Sequence, residues 1–184
     1  MSKLLLLAVV ASLAVPTVRL TDLNNRLTDP FDVPADVKAI VFIFTSVECP
    51  ISNRYAPVLA RLHSAFAAKG VRFWLIYPNP GDTLEAIRGH VKAYGYPMAA
   101  LRDPDHALAN LAHATVTPEA AVYDRGGREL YRGRIDDRYV SLGLERPQPR
   151  KNDLSDALSA VLAGKTPAEP TTPAVGCFIA DFVR

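Results

Sequence analysis

The sequence lacks two features that would assign it to a well-defined class of protein. Its 184 residues include only two cysteines, and the formal net charge is only +2. Two cysteines are too few for a disulfide scaffold, and neither belongs to a Cys-x-x-Cys pair. Because the chain also lacks a run of basic residues, we expect neither nucleic acid nor an anionic membrane surface as a partner.

Long apolar runs are also scarce, and the most prominent one lies at the N-terminus. It follows Lys3 and reads LLLLAVVASLAV, which is too short to span a bilayer comfortably. A basic start, a short apolar stretch and small residues at Ser12 and Ala14 are typical of a secretory signal peptide. We therefore predict a signal peptide within residues 1–20, cleaved after Ala14, and a periplasmic or secreted protein without membrane attachment. The alternative is a buried N-terminal strand or helix.

The remaining sequence has the composition of one globular domain, which we place at residues 21–164. Apolar residues make up 49% and charged residues 22% of the chain, as in ordinary globular proteins. A proline-rich arm at residues 165–184 ends in CFIADFV, which is apolar enough to dock on the domain. The sequence therefore predicts one domain followed by an extended C-terminal tail.

Hydrophobic periodicity predicts strands that alternate with helices. The strands fall at 38–45, 71–78, 98–101, 119–124 and 129–135, with a further hairpin in 17–36, and the helices fall at 50–69, 84–94, 104–113 and 152–164. Asp82 to Glu85 has the spacing of a capping box before the second helix. Residues 136–150 form a predicted polar loop. This order predicts an α/β fold with a mixed sheet.

Cys49 lies where a predicted buried strand meets a predicted helix. Pro50 suits the first helical position, where its missing N–H is no loss. The N–H groups of Ile51 and Ser52 would face the sulfur, and the helix dipole favours negative charge there. This placement lowers a thiol pKa and makes the sulfur nucleophilic, although the adjacent Glu48 carboxylate opposes the effect. The alternative is a buried and inert structural thiol.

Cys177 lies beyond the proline-rich part of the arm. The 12 residues between the last predicted helix and Cys177 can span roughly 35–40 Å when extended. Cys177 can thus reach Cys49 as a resolving partner or in a resting disulfide, which an exported protein permits. The alternative is that Cys177 is a small apolar residue packed within CFIADFV.

The histidines and the charged residues after the predicted hairpin give no metal or cofactor site. We interpret all four histidines as surface or capping residues, with the last of them nearest the candidate active edge; they are His63, His90, His106 and His113. Arg132 to Arg138 includes five charged residues, which we interpret as a solvated surface run. The alternative is that they line a partner groove or pair with Glu48.

Two motifs occur in an order that resembles the thioredoxin fold. The first is a strand followed by Cys49-Pro50 at a helix start, and the second is Thr117-Pro118 followed by a β-hairpin. The elements between them resemble the insertion of redoxins, the AhpC/TSA or peroxiredoxin-like proteins and the periplasmic thiol-disulfide reductases. The resemblance covers about residues 17–164. It implies a three-layer α/β/α fold with a mixed central sheet.

The resemblance also implies a site around Cys49. In the family, the residue pair that Thr117-Pro118 matches has a cis peptide bond beside the reactive cysteine and exposes backbone groups to a bound peptide or thiol partner. The second cysteine of the family's motif is Ser52 here. Ser52 cannot resolve a mixed disulfide, but its hydroxyl can hydrogen-bond a thiolate.

Three functions remain open at this point. The first is an exported thiol-disulfide oxidoreductase, in which the Cys49 thiolate attacks a protein disulfide and Cys177 or an external thiol resolves the intermediate. The second is an antioxidant thiol peroxidase, in which a peroxide oxidises Cys49 to a sulfenic acid. Ser46 matches the hydroxyl residue that peroxiredoxins carry three positions earlier, but Phe42 replaces their proline. The third is an inactive accessory module, which Ser52 in place of a cysteine favours.

Overall fold

The computed structural model describes residues 16–179. In chain order the strands are β1 (Leu20–Asp22), β2 (Leu27–Thr28), β3 (Ala39–Phe44), β4 (Val71–Tyr77), β5 (Ala99–Arg102), β6 (Val116–Thr117), β7 (Glu119–Asp124), β8 (Glu129–Gly133), β9 (Tyr139–Ser141), β10 (Leu144–Glu145) and β11 (Cys177–Phe178). The helices are α1 (Pro50–Phe66), α2 (Leu84–Tyr94), α3 (Ala107–Leu111) and α4 (Asp153–Leu162), and a short 3-10 helix at Ala67–Lys69 extends α1.

Seven strands form a central mixed sheet in the order β2-β1-β5-β4-β3-β7-β8. The middle strands β3, β4 and β5 run parallel to one another, while β7 pairs antiparallel to β3 and returns through β8. All six residues of β3 are buried. A strand covered on both faces has to be apolar throughout, which explains the unbroken sequence AIVFIF.

Helices cover both faces of this sheet. On one face, Leu59 of α1, Ile87 of α2 and Leu158 of α4 pack into a common apolar cluster. On the other face, Leu108 of α3 and Phe31 of the N-terminal segment belong to a second cluster. The arrangement confirms the predicted three-layer α/β/α fold, and it places the C-terminal end of β3 and the start of α1 at one edge of the molecule.

The N-terminal segment enters the core soon after the described residues begin. Val18 and Leu20 are buried in the cluster on the α3 face. A cleavage after Ala14 would leave both in place, but residues 1–15, which carry most of the predicted signal peptide, lie outside the described part of the chain. Between residues 16 and 179, no helix has the length and apolarity needed to cross a bilayer.

The prediction of a polar loop at 136–150 was wrong in part, because the segment contains two short strands. This segment contains the antiparallel pair β9–β10, which Arg54 of α1 contacts through a 2.8 Å ion pair with Glu145. Its apolar residues Val140, Leu142 and Leu144 are exposed. Because this pair buries little apolar surface, the sequence has no alternating pattern that would have predicted its strands.

The interpretation of the charged residues after β8 as a solvated run was also wrong. Asp136 is buried and accepts a 2.6 Å hydrogen bond from the Tyr55 hydroxyl. Asp137 is buried and accepts two backbone N–H bonds. Arg134 donates two hydrogen bonds, of 2.9 and 3.1 Å, to Asp153 at the start of α4. Buried carboxylates need donors of this kind, and these contacts hold the segment against α1 and α4.

The C-terminal tail docks on the domain at two places. At the first, Thr172 donates its N–H to the Arg132 carbonyl at 3.0 Å, and its hydroxyl lies 2.7 Å from the Tyr131 hydroxyl. Gly133 is required here, because a Cβ on it would lie 2.1 Å from the Thr172 carbonyl oxygen. The second docking place is β11, which pairs antiparallel with β6 at the candidate active site.

Candidate active site

Cys49 is the N-cap residue of α1, with Pro50 following at the first helical position. Its side chain is only 3% exposed. The Cys49 sulfur lies 2.7 Å from the Cys177 sulfur and 3.0 Å from the Thr117 carbonyl oxygen. Both cysteines are free thiols in this structure. The structure therefore places the two cysteines in direct contact, although 127 residues separate them in the sequence.

Thr117 and Pro118 form the wall of the site opposite α1. The peptide bond between them is cis, as the resemblance implied. The strands β6 and β7 lie on either side of this bond and fix it at the sheet edge beside Cys49. Thr117 is the register partner of Cys177 in the β6–β11 pair. The pairing of β11 with β6 therefore positions Cys177 beside the Cys49 sulfur.

The environment of Cys49 favours the thiolate. Burial raises the pKa of the thiol, but hydrogen bonds from Cys177, Ser52 and Thr117 outweigh burial, so that the net pKa is lowered. The Ser52 hydroxyl is buried and has no hydrogen-bond partner while Cys49 is a thiol. This hydroxyl can donate to the Cys49 sulfur once it is a thiolate, and Ser52 lowers the pKa of Cys49 in this way.

The environment of Cys177, in contrast, favours the protonated thiol. Burial, together with the neighbouring Cys49 sulfur, raises the pKa of the Cys177 thiol. Cys177 is nevertheless half-buried, whereas Cys49 is buried. Loss of a proton from the pair is therefore favoured at Cys49 over Cys177.

A buried polar network that no sequence motif indicated holds the loop before Cys49. His90 lies 2.8 Å from the Tyr77 hydroxyl through Nδ1 and 2.7 Å from Asn53 Oδ1 through Nε2. The Asn53 side-chain amide donates to the Val47 carbonyl at 3.2 Å. This contact orients Asn53 so that His90 Nε2–H donates to it, which leaves Nδ1 to accept from Tyr77. The network fixes the backbone two residues before Cys49.

The prediction that His90 is a surface or capping residue was wrong. It is 5% exposed, and burial lowers the pKa of its imidazole. His106 is buried as well and occupies the N-cap of α3, whereas His113 is exposed. No sequence pattern predicts the network, because its members come from three elements and have no common spacing. No group of three potential metal-ligating side chains occurs within residues 16–179.

Asp82 makes a second polar contact with the loop before Cys49. It does not cap α2, so the predicted capping box was wrong. The N-cap of α2 is Thr83, whose hydroxyl accepts a 3.2 Å hydrogen bond from the Ala86 N–H. Asp82 instead turns towards the loop and accepts a 3.4 Å hydrogen bond from the Val47 N–H. It is buried, and burial raises the pKa of its carboxyl group. Asp82 and Asn53 thus hold Val47 through its N–H and its carbonyl.

The structure brings all the predicted site residues to one place: Cys49, Ser52, Thr117, Pro118 and Cys177. The two residues that bear on peroxide reduction, Ser46 and Phe42, are both buried. Ser46 is buried in the loop before Cys49, and Phe42 is buried in β3, where its ring packs 5.3 Å from the Phe31 ring. The candidate site is a pair of thiols at a helix N-terminus, facing a cis-proline loop.

The fold and this site define a thioredoxin-like protein with a redoxin arrangement of secondary structure. The chain belongs to the AhpC/TSA family, whose model matches residues 12–128. No protein with a curated description matches the chain.

Solved structures of similar chains share the overall fold. An uncharacterised conserved protein of Geobacillus kaustophilus is 29% identical with a TM-score of 0.78, covering 90% of this chain and 89% of that one. A hypothetical protein of Sinorhizobium meliloti is 30% identical with a TM-score of 0.74, covering 94% of each chain. A secreted disulfide oxidoreductase of Mycobacterium tuberculosis is 20% identical with a TM-score of 0.55, covering 80% of this chain and 96% of that one. At this identity, the last comparison shows the fold alone.

Proposed function

We propose that the protein is a thiol-disulfide oxidoreductase in which Cys49 is the nucleophile and Cys177 is its resolving partner. The observation that carries the proposal is the 2.7 Å distance between the two sulfurs. Two thiols at this distance, one of them favoured as a thiolate, are placed to form a disulfide by thiol-disulfide exchange.

The reaction with a disulfide substrate proceeds in two exchange steps. The Cys49 thiolate attacks one substrate sulfur, forms a mixed disulfide and releases the other substrate sulfur as a thiolate. The sulfur of Cys177 then attacks Cys49, which forms the Cys49–Cys177 disulfide and releases the second substrate thiol. The Cys177 proton passes to the departing thiolate. The substrate gains two electrons from the two cysteines and one proton from Cys177, and the thiolate released in the first step takes its proton from water.

The change in Cys49 during the first step favours the second step. The neighbouring Cys49 sulfur is one of the two causes of the raised pKa of Cys177, the larger being burial. Once Cys49 is bound in a neutral mixed disulfide, it no longer repels a negative charge on Cys177. Cys177 then deprotonates more readily at the moment when its thiolate is needed. Ser52 takes no part in resolution and stabilises the Cys49 thiolate.

We infer an exported location from two considerations. The sequence predicts a signal peptide before the domain, and an oxidising compartment favours a disulfide between the two cysteines. The Mycobacterium tuberculosis structure with the same fold is described as a secreted disulfide oxidoreductase.

Peroxide reduction is a second candidate, because Cys49 is only 3% exposed beneath the tail. A small oxidant reaches such a sulfur more readily than a polypeptide does. The Cys49 thiolate would take one peroxide oxygen to form a sulfenic acid and release water or an alcohol. The Cys177 thiol would then condense with it, releasing water and forming the same disulfide.

Oxidised glutathione, mass spectrometry and single cysteine variants test the proposal. The reduced wild-type chain should lose two hydrogens by forming the internal disulfide, while Cys177→Ser should retain one glutathionyl group on Cys49. Cys49→Ser should react far more slowly than either. A wild-type chain that retains glutathione on Cys49 contradicts the role of Cys177 as resolving partner. A Cys49 no more reactive than free cysteine contradicts the whole proposal and favours an inactive module. A faster reaction with peroxide than with disulfide favours the peroxidase.

A further inference from the structure

The outer edge of β6 binds tail residues 177–179 as an added antiparallel strand, in the way that a sheet edge binds an extended peptide. Cys177 pairs with Thr117 and Phe178 with Val116, both in antiparallel register. The next residue continues the pattern, because the Ile179 N–H donates to the Thr115 carbonyl at 3.0 Å. These contacts use the backbone of both strands, so that they suit any extended peptide whose side chains fit.

Gly176 gives this edge a specific requirement for glycine. A Cβ on residue 176 would lie 2.2 Å from the Thr117 carbonyl oxygen, 2.6 Å from the Thr117 carbonyl carbon and 3.1 Å from the Pro118 nitrogen. All three atoms belong to the backbone of the cis-proline loop, which cannot move aside as a flexible side chain does. The residue immediately before the cysteine therefore has to be glycine for the strand to approach this closely.

The side chains that follow alternate as in a strand with one buried face. Cys177 faces Cys49, Phe178 is 63% exposed, and Ile179 is fully buried in the apolar cluster of the α3 face. The edge thus provides three subsites in order. The first admits only glycine, the second presents a sulfur to Cys49, and the third buries an aliphatic side chain two residues later.

We propose that this edge is a peptide-binding site for extended segments of the form Gly-Cys-x-aliphatic, and that residues 176–179 are its tethered occupant. This inference rests on the proposed function, since it names the class of polypeptide substrate for the same site. A substrate segment has to displace the tail before its sulfur reaches Cys49, and the tail has to return to the edge before Cys177 resolves the mixed disulfide. Only three residues, 173–175, join the occupant to the anchored Thr172, so its effective concentration at the edge is on the order of millimolar.

Binding of a peptide without a thiol tests the inference apart from any redox reaction. The probe is fluorescein-labelled Ala-Val-Gly-Ser-Phe-Ile, measured by fluorescence anisotropy with full-length chains. In a Cys177→Ser background, which prevents disulfide formation, Gly176→Ala should release the tail and lower the Kd of the peptide at least about tenfold. Gly89→Ala is the matched control, because a Cβ at that position meets nothing within 4 Å; it should leave the Kd unchanged.

A second variant and a second peptide keep the test independent of one substitution. Ile179→Ser removes the buried anchor of the tail and should also lower the Kd of the peptide. A peptide with alanine in place of its glycine should bind at least about tenfold more weakly to the released chains. Equal binding to the released and docked chains, or equal binding of the two peptides, overturns the inference. Because no sulfur reacts in this assay, either result leaves the glutathione test of the proposed function unaffected.

Discussion

Replacing Ser52 by alanine tests whether the serine at the family's second cysteine position stabilises the Cys49 thiolate. The Ser52 hydroxyl is buried and has no partner in the thiol form, and it is one of the groups that lower the pKa of Cys49. A hydrogen bond to a charged group contributes about 1.5–3 kcal/mol, which corresponds to about 10- to 150-fold less thiolate below the pKa once the bond is lost.

The measured reaction rate should change by less than the thiolate fraction. A thiolate of higher pKa is intrinsically more nucleophilic, with a Brønsted coefficient of about 0.4–0.5, which offsets nearly half of the effect on a logarithmic scale. We therefore expect Ser52→Ala to slow alkylation of Cys49 by about 4- to 15-fold at a pH below the pKa of Cys49.

The assay is iodoacetamide alkylation followed by mass spectrometry, in a Cys177→Ser background so that only Cys49 reacts. Ser64→Ala is the matched control, since Ser64 is an exposed serine of the same helix whose hydroxyl bonds to the Ala60 carbonyl. It should leave the rate unchanged. If Ser52→Ala alkylates as fast as its parent at low pH, Ser52 does not contact the thiolate and the account of this residue is refuted.

Two further predictions concern the contacts that hold the site. Burial lowers the pKa of His90, so the unfolded chain binds its proton more tightly, and stability is lost as pH falls below the unfolded pKa of about 6.5. Urea unfolding at pH 5 and 7.5 should therefore show a smaller difference in the free energy of unfolding between the two pH values for His90→Gln than for wild type. The exposed His113→Asn is the control and should retain the wild-type difference. Equal differences in wild type and His90→Gln would contradict the buried network. Arg134→Ala breaks two hydrogen bonds to the buried Asp153 and should lower the free energy of unfolding by about 2 kcal/mol. Arg128→Ala, which removes an exposed ion pair, should cost less than about 1 kcal/mol; equal losses would show that burial does not distinguish the two pairs.

The central fold was predictable because its strands are buried on both faces. In β3 every side chain must be apolar, so the composition of six residues is enough to identify the strand. The glycine and proline residues at turns and helix ends gave the boundaries of most other elements. The pair β9–β10 escaped prediction because it lies on the surface, where Val140 and Leu142 are exposed and no buried face imposes alternation.

The candidate site was predictable only where local sequence determines its chemistry. Because proline favours the first position of a helix, Pro50 after a predicted strand places Cys49 at the N-cap, where the structure has it. The contact of Cys177 with Cys49 was one of two open alternatives, because arm length permits contact without requiring it. The register of β11 against β6, together with the close approach of Gly176 to Thr117, depends on tertiary structure that no local pattern encodes.

The most direct test of the account is a redox titration of the full-length chain, with peptide mapping of the cysteines under non-reducing conditions. We predict that one cross-linked species, joining the peptides of Cys49 and Cys177, forms on oxidation and is lost reversibly on reduction. Two free thiols across the whole oxidising range, or cross-links only between separate chains, would contradict the claim that these sulfurs form one reactive pair.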